Sequence, residues 1–156
     1  MQGNQRVVQA LNDLLILELT AINQYVAHSK MCENWGYDRL AGRFRQTALE
    51  EMKDAEGIID RILFLEGQPN MQDLGSVPVG GTVADQLRLA LDTERRAVGL
   101  LGDGIATALE VGDQATREFF AGGLPEEEGH IDWLETQLGL IDQIGETTYL
   151  AQQLRE

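Results

Sequence analysis

The chain has 156 residues, 43% of them apolar, and a formal net charge of −14, which predicts one folded domain with a sizeable core rather than a disordered chain. The acidic charge argues against nucleic-acid binding, which needs a basic patch, and no apolar run approaches the ~20 residues of a membrane span. The N-terminus also lacks the basic and apolar regions of a signal peptide, so we expect a cytoplasmic protein without a membrane partner.

Apolar residues at helical spacing, together with capping residues, predict five helices in chain order. Asn4 is a good N-cap for the first, and Thr82, with Asp85 at the capping-box position, is a good N-cap for the third. The predicted helices cover about 4–34, 38–65, 83–111 and 114–144, followed by a short tail helix at about 146–154.

Residues 66–82 form the only long connection and are rich in glycine and proline. A long crossover at this place requires the second and third helices to run parallel to each other. Four long helices with two short turns and one long crossover predict an all-α, ferritin-like four-helix bundle with a short C-terminal fifth helix. We expect residues 1–156 to form one such domain.

One glutamate interrupts the apolar seam of every long helix. A buried carboxylate is costly unless something compensates its charge. A single case would be read as a surface residue out of phase, but four such cases near the helix centres predict a site that binds cations. The four residues are Glu18, Glu51, Glu94 and Glu127.

A second ligand is expected one helical turn after a seam glutamate. Glu127 and His130 are three residues apart and therefore share a helix face, which is the Glu-x-x-His element of di-iron carboxylate bundles. The second helix has Asp54 at the same distance from Glu51, on a shorter stem. Oxygen-rich ligands with one imidazole favour iron or manganese over zinc.

At this point the sequence resembles the bacterioferritin family over essentially its whole length. The segments that carry the resemblance are Ala21-Ile22-Asn23-Gln24-Tyr25, Asn34-Trp35-Gly36, Glu50-Glu51-Met52-Lys53, residues 61–67, Gln72-Asp73-Leu74-Gly75 and residues 127–135. The last of these is long and specific.

The resemblance implies a 24-subunit cage, homo- or hetero-oligomeric, with ferroxidase activity that oxidises Fe(II) at a di-iron centre and stores it as a ferric mineral. It implies haem b between pairs of subunits, with Met52 as the axial ligand, and a bacterioferritin-associated ferredoxin as electron donor. Tyr25 and Trp133 match aromatic residues near the iron site. The implied iron ligands are Glu18, Glu51, Asp54, Glu94, Glu127 and His130.

The chain departs from the family pattern in four places. Asp54 stands where the family normally has histidine, and Gln46 and Thr47 replace residues of an inner-surface iron site. Pro125 lies two residues before Glu127, where a proline is expected to kink the helix. Ile58 stands where the family often has tyrosine.

These departures leave alternatives open. The chain could be a haem-binding subunit with impaired ferroxidase activity in a mixed cage with a catalytic partner subunit. It could instead be another di-iron or di-manganese redox enzyme, such as a peroxidase or a manganese catalase. A purely structural bundle is disfavoured, because its four seam glutamates would then be uncompensated.

Overall fold

The structure is a computed structural model that describes residues 1–155. The predicted all-α bundle is confirmed, with six helices and no strand among the described residues. They are α1 (Gln5–Trp35), α2 (Asp38–Phe64), α3 (Val83–Val111), α4 (Gln114–Gly122), α5 (Leu124–Ile144) and α6 (Glu146–Ala151). Within residues 1–155, no helix combines the length and the apolar composition that a bilayer crossing requires.

The helix ends follow the capping residues of the sequence. The Asn4 side chain accepts from the backbone amide two residues later, at 2.8 Å, and Thr82 Oγ1 accepts from the Asp85 amide at 3.2 Å. Gly36 and Gly112 end α1 and α3 with φ of 87° and 75°. Glycine adopts this left-handed conformation without steric strain, so both helices stop where glycine allows the chain to turn.

The single fourth helix expected over 114–144 is wrong, because the chain forms two segments there. The Gly123 amide donates to the Phe120 carbonyl at 3.1 Å and closes α4, and Pro125 lies at the start of α5. Proline has no N–H, so it is tolerated in the first turn of a helix but not in its interior. Gly123 keeps helical φ and ψ of −79° and −19°, so the second segment follows without a reversal.

The tail helix is shorter than the predicted 146–154, since α6 ends at Ala151. The amides of Gln152 and Gln153 donate to carbonyls three residues back, at 3.1 and 3.0 Å. This spacing tightens the end of the helix into a turn.

The buried side chains form two separate apolar clusters. Cluster A includes Ala21, Tyr25, Phe44, Ala48, Leu87, Leu91 and Leu134. Cluster B includes Leu11, Leu15, Ala55, Ile58, Ile62, Leu101 and Phe120.

Each long helix passes from one cluster to the other at its seam glutamate. The buried residues of α1 change from cluster B to cluster A around Glu18, and α4–α5 makes the same change around Glu127. In α2 and α3 the change runs from A to B, around Glu51 and Glu94. Helices α2 and α3 therefore run parallel, as expected, and the glutamates form a layer between the clusters.

The crossover, residues 65–82, is held against α1 by buried polar side chains of that helix. Asn12 and Gln24 donate to backbone carbonyls of the crossover at 3.1 and 2.9 Å. His28 Nε2 accepts from the Gly80 amide at 3.1 Å. Because buried polar groups must find partners, these contacts fix the course of the connection along α1.

Two glycines of α3 provide a matched test of packing in cluster B. A Cβ on Gly104 would lie 2.7 Å from the Phe120 ring, whereas among residues 1–155 a Cβ on Gly102 would meet no atom within 4 Å. Gly104→Ala should lower the free energy of unfolding by about 1–3 kcal/mol through overpacking. Gly102→Ala should raise it by up to about 1 kcal/mol, because alanine favours the helix. Denaturant unfolding measures both, and effects of the same sign and size would contradict this packing.

Candidate metal centre

The four seam glutamates are almost fully buried in the layer between the clusters. Their exposed fractions are 3% for Glu18, 1% for Glu51, 1% for Glu94 and 3% for Glu127. Helical spacing explains this placement, since each residue continues the apolar face of its own helix. His130 joins them from the next turn of α5 and is 5% exposed.

The ligand atoms fall into two overlapping sets, in each of which all atoms lie within 4.8 Å of one another. One set is Glu51, Glu94, Glu127 and His130, and the other is Glu18, Glu51, Asp54 and Glu127. Glu51 and Glu127 belong to both sets. Either set could hold a metal ion, and the two sets share two carboxylates.

The two ring nitrogens of His130 have different surroundings. Nδ1 lies 3.1 Å from Glu51 Oε1, 3.4 Å from Glu94 Oε1 and 3.8 Å from Glu127 Oε2. Nε2 lies 2.9 Å from Glu50 Oε2. Nδ1 is therefore the atom that faces the cluster, and Glu50 orients the ring from behind, as carboxylates commonly do for metal-binding histidines.

Burial in this layer shifts the pKa of the acidic groups. Burial raises the pKa of Glu51 to about 8 and that of Glu127 to about 10, although His130 acts in the opposite direction on both. Burial alone would lower the pKa of His130, but the carboxylates of Glu127, Glu51 and Glu94 outweigh it and raise that pKa. With no cation, the cluster holds protons at neutral pH.

Several buried atoms of the cluster have no hydrogen-bond partner among residues 1–155. They are Glu18 Oε2, both carboxylate oxygens of Glu51, Glu127 Oε2 and His130 Nδ1. The short contacts of Nδ1 lack hydrogen-bond geometry. Buried polar atoms are rarely left unpaired, and all of these atoms belong to residues of the two ligand sets. The donor set fits two cations of the iron or manganese class, which prefer oxygen ligands with some imidazole.

Tyr25 and Trp133 differ in their relation to the cluster. The Tyr25 hydroxyl donates to Glu94 Oε1 at 2.6 Å, and burial, then the charge of Glu94, raises its pKa, so the phenol keeps that proton. Trp133 packs edge-on against Phe44 at 6.2 Å between ring centroids, and Phe44 lies 5.9 Å from Tyr25. Tyr25 thus contacts the cluster directly, whereas Trp133 is linked to it only through Phe44 and Tyr25.

Asp54 lies within the second ligand set despite its short stem. Its carboxyl faces Glu126; burial, and then Glu126, raise the pKa of Asp54 to about 7. Sequence reasoning missed Glu126, which forms a further acidic group with Glu50 and His130. The sequence signal that could have revealed Glu126 is the acidic run 126–128 directly after Pro125. A proline followed by acidic residues marks the first turn of a helix, here α5.

Met52 follows Glu51 along α2 but lies on the surface, with 45% of its area exposed. It borders a pocket of about 80 Å³. The other lining residues are Ile22, Val26, Ser29, Lys30, Arg45, Ala48 and Leu49. A thioether, apolar neighbours and two cationic side chains therefore share one surface of α1 and α2.

The chain is similar in sequence to proteins of known families. A profile of the ferritin-like domain family matches residues 8–144. The chain is 47% identical over 152 residues to the bacterioferritin of Mycobacterium leprae and 45% identical over 152 residues to that of Mycobacterium tuberculosis, each covering 97% of this chain and 96% of the relative. It is 41% identical over 149 residues to the bacterioferritin of Brucella melitensis, with 96% and 92% covered.

The buried acids predict that the metal-free protein loses stability as the pH rises from about 5 to about 8. The ordinary pKa of Glu51 is 4.5 and its folded value is about 8, so between them the folded chain holds a proton that the unfolded chain releases. Thermal unfolding across this range measures the slope. Glu51→Gln should make the slope shallower, whereas Glu128→Gln, at an exposed position of α5, should not. A melting temperature that rises with pH would contradict this.

Proposed function

The chain belongs to the bacterioferritin family, and from this we propose that it is an iron-storage cage subunit that binds Fe(II) at the carboxylate–histidine cluster and oxidises it to a ferric mineral. The observation that carries this proposal is the pair of overlapping ligand sets with unpartnered buried atoms. Structural glutamates in a core would instead be expected to end in hydrogen bonds.

In this proposal each ligand has its own role. Glu51 and Glu127 would be shared between two ions, Glu94 and His130 would help to hold one ion, and Glu18 and Asp54 would help to hold the other. Fe(II) is the substrate: two Fe(II) ions give one electron each to dioxygen, which takes up two protons and becomes hydrogen peroxide. The protein supplies fixed geometry, with Glu50 holding the His130 ring and Tyr25 holding Glu94.

The charge of the cluster supports a redox role. The two sets contain five different carboxylates, which together carry five negative charges when ionised. This lies between the four positive charges of two Fe(II) ions and the six of two Fe(III) ions. A buried site of this charge can hold either oxidation state without a large uncompensated charge. Protons held by Glu51 and Asp54 would leave when the cations bind.

Asp54 decides between a working and an impaired centre. We favour a working centre, because one carboxylate oxygen of Asp54 lies within 4.8 Å of one oxygen each from Glu18, Glu51 and Glu127. The alternative is a haem-binding subunit that needs a catalytic partner subunit. The contact of Asp54 with Glu126 favours this alternative, because it keeps a proton on the Asp54 carboxyl near neutral pH.

The surface around Met52 supports haem binding between two subunits. A thioether is a soft ligand for haem iron, and Val26 and Leu49 beside it are 44% and 52% exposed. A contiguous patch of exposed apolar side chains commonly marks a site for a ligand or a partner. Lys30 and Arg45 at the same pocket are suited to the propionates of haem b. We infer that Met52 from each of two subunits would hold the haem.

Assembly into a 24-subunit cage is part of the same proposal. Leu63 and Phe64, at the end of α2, are 56% and 52% exposed, and Ile144, at the end of α5, is 43% exposed. These residues lie away from the Met52 pocket. A cage needs several separate contact surfaces on each subunit, and apolar side chains of this size at more than one place are consistent with that requirement.

Stopped-flow oxidation of Fe(II) by dioxygen tests the ferroxidase proposal. The iron-free protein should show a fast phase that saturates at two Fe(II) per subunit. Glu51→Gln removes a bridging charge and should slow this phase by about 10²-fold or more. Glu128→Gln is the control, because it changes an exposed glutamate on the same helix as Glu127.

Asp54→His, measured in parallel, separates the two functions. In a working centre it should change the initial rate by less than about tenfold, since either side chain can complete the coordination. Slow oxidation without saturation, accelerated by Asp54→His, would favour the haem-binding subunit of a mixed cage. An unchanged fast phase in Glu51→Gln would overturn the proposed centre.

Haem binding is tested with substitutions at two methionines of similar exposure. Met52→Leu should abolish the Soret absorption of the reconstituted protein, because leucine has a similar size but no ligand atom. Met71→Leu, in the crossover, changes a methionine of similar exposure, 48% against 45%, and should leave the spectrum unchanged. Retention of a six-coordinate haem spectrum by Met52→Leu would exclude Met52 as the ligand.

A further inference from the structure

A cavity lies where the tail packs against the bundle, and none of the proposed metal ligands lines it. Its volume is about 400 Å³. Its walls come from the start of α2, from the second half of α5, and from the end of α6 with the turn that follows it. The proposed iron chemistry gives this cavity no role.

The lining of the cavity carries positive charge although the chain is strongly acidic. Asp and Glu outnumber Lys and Arg by 26 to 12 in the whole sequence, yet Arg39 and Arg43 line the cavity and no acidic residue of the described chain does. Neither guanidinium forms an ion pair with a carboxylate among residues 1–155. Two arginines without acidic partners at one cavity are suited to an anion from outside the chain.

Arg43 is held in place by its surroundings and still keeps an unused donor. The central carbon of its guanidinium lies 4.7 Å from the centroid of the Trp133 ring, a contact that keeps a cation over the face of the indole. Its Nε atom is buried and has no hydrogen-bond partner among residues 1–155. A buried donor without an acceptor is costly, so an acceptor is expected to enter the cavity.

Neighbouring polar groups add neutral donors and tie the tail to the arginines. The hydroxyl of Tyr149, which is buried, donates to Oε1 of Gln137 at 2.8 Å. Because the oxygen of this amide is used in that bond, its NH₂ group is the part left to bind an anion. The backbone amide of Arg39 donates to the Gln153 carbonyl at 3.0 Å, which fixes the last turn of the tail beside the cavity.

We propose that this cavity binds a phosphate dianion, either free or as the phosphoryl group of a small organic molecule, between the guanidinium groups of Arg39 and Arg43. The two guanidinium charges match one dianion, whereas a monocarboxylate would leave one of them unpaired. Each guanidinium presents a planar set of N–H donors that fits phosphate oxygens in pairs. The inference does not depend on the proposed function, because no metal ligand takes part in it.

Titration of the metal-free, full-length protein with sodium phosphate at pH 8 and constant ionic strength tests the site. Calorimetry should show saturable binding of one phosphate per subunit. The fluorescence of Trp133, isolated by Trp35→Phe, should change with the same dissociation constant, because the anion meets the guanidinium on its ring. Arg39→Gln and Arg43→Gln should each weaken binding about tenfold or more. Arg96→Gln is the control, since it changes an exposed arginine of α3 that does not line the cavity.

Two further titrations identify the anion. Acetate should bind at least tenfold more weakly than phosphate, and equal binding of acetate would contradict a site for a dianion. Glycerol phosphate is compared with inorganic phosphate to find the source of the group. Tighter binding of the ester supports the phosphoryl group of a small molecule, and equal or weaker binding supports free phosphate.

The arginine variants decide whether the site exists. Absence of saturable phosphate binding, or binding that neither Arg39→Gln nor Arg43→Gln weakens, would overturn the proposal. Arg39 is exposed, so its substitution should leave the fold intact. It therefore gives the answer even if Arg43→Gln, which loses the contact with Trp133, does not fold. Because the protein is free of metal throughout, either result leaves the proposed iron site to its own tests.

Discussion

The burial of negative charge at the centre of the bundle is the constraint on which the rest of the structure depends. Five carboxylates and one imidazole lie where an ordinary helical bundle would continue its apolar core. Such a layer is stable only if protons or cations neutralise it. Burial raises the pKa of Glu51 and of Glu127, so protons fill that role in the metal-free protein, and the unpartnered oxygens are the atoms with which a cation could pair.

This constraint also explains why the apolar core is divided. The charged layer separates cluster A from cluster B, so each helix must be long enough to bury side chains on both sides of its glutamate. A helix of about 28 residues is about 42 Å long and satisfies this requirement. The crossover then lets α2 and α3 run in the same direction, and its hydrogen bonds to α1 keep the long connection in place.

The sequence was sufficient to predict the site residues that interrupt an apolar pattern, but not the site residues that lie outside such a pattern. Glu18 was predicted because leucine and isoleucine surround it, and His130 because it lies three residues after Glu127. Glu50 and Glu126 lie off the seam, where an acid ordinarily faces solvent, and only the packing of α2 against α5 brings them to the cluster. Pro125 predicted a disturbance of the fourth helix, but the form of that disturbance depended on Gly123, which ends α4 and allows α5 to begin.

Asp54 and Pro125 are two of the positions at which the chain departs from the pattern that the resemblance implies. Pro125 lies in the first turn of α5, just after the break at Gly123, and Gly123 and Asp54 both line a cavity of about 250 Å³. A histidine at position 54 would carry a ring toward the same space, whereas an aspartate places its oxygens near Glu18 and leaves the space open. The shorter side chain of Asp54 and the break between α4 and α5 are therefore compatible, because both leave the same region open. A carboxylate is also a harder and more negative ligand than an imidazole, so it favours the ferric state of a bound iron. Asp54 thus combines a more negative ligand with a shorter side chain, an arrangement that suits the binding of Fe(II) in the proposed function.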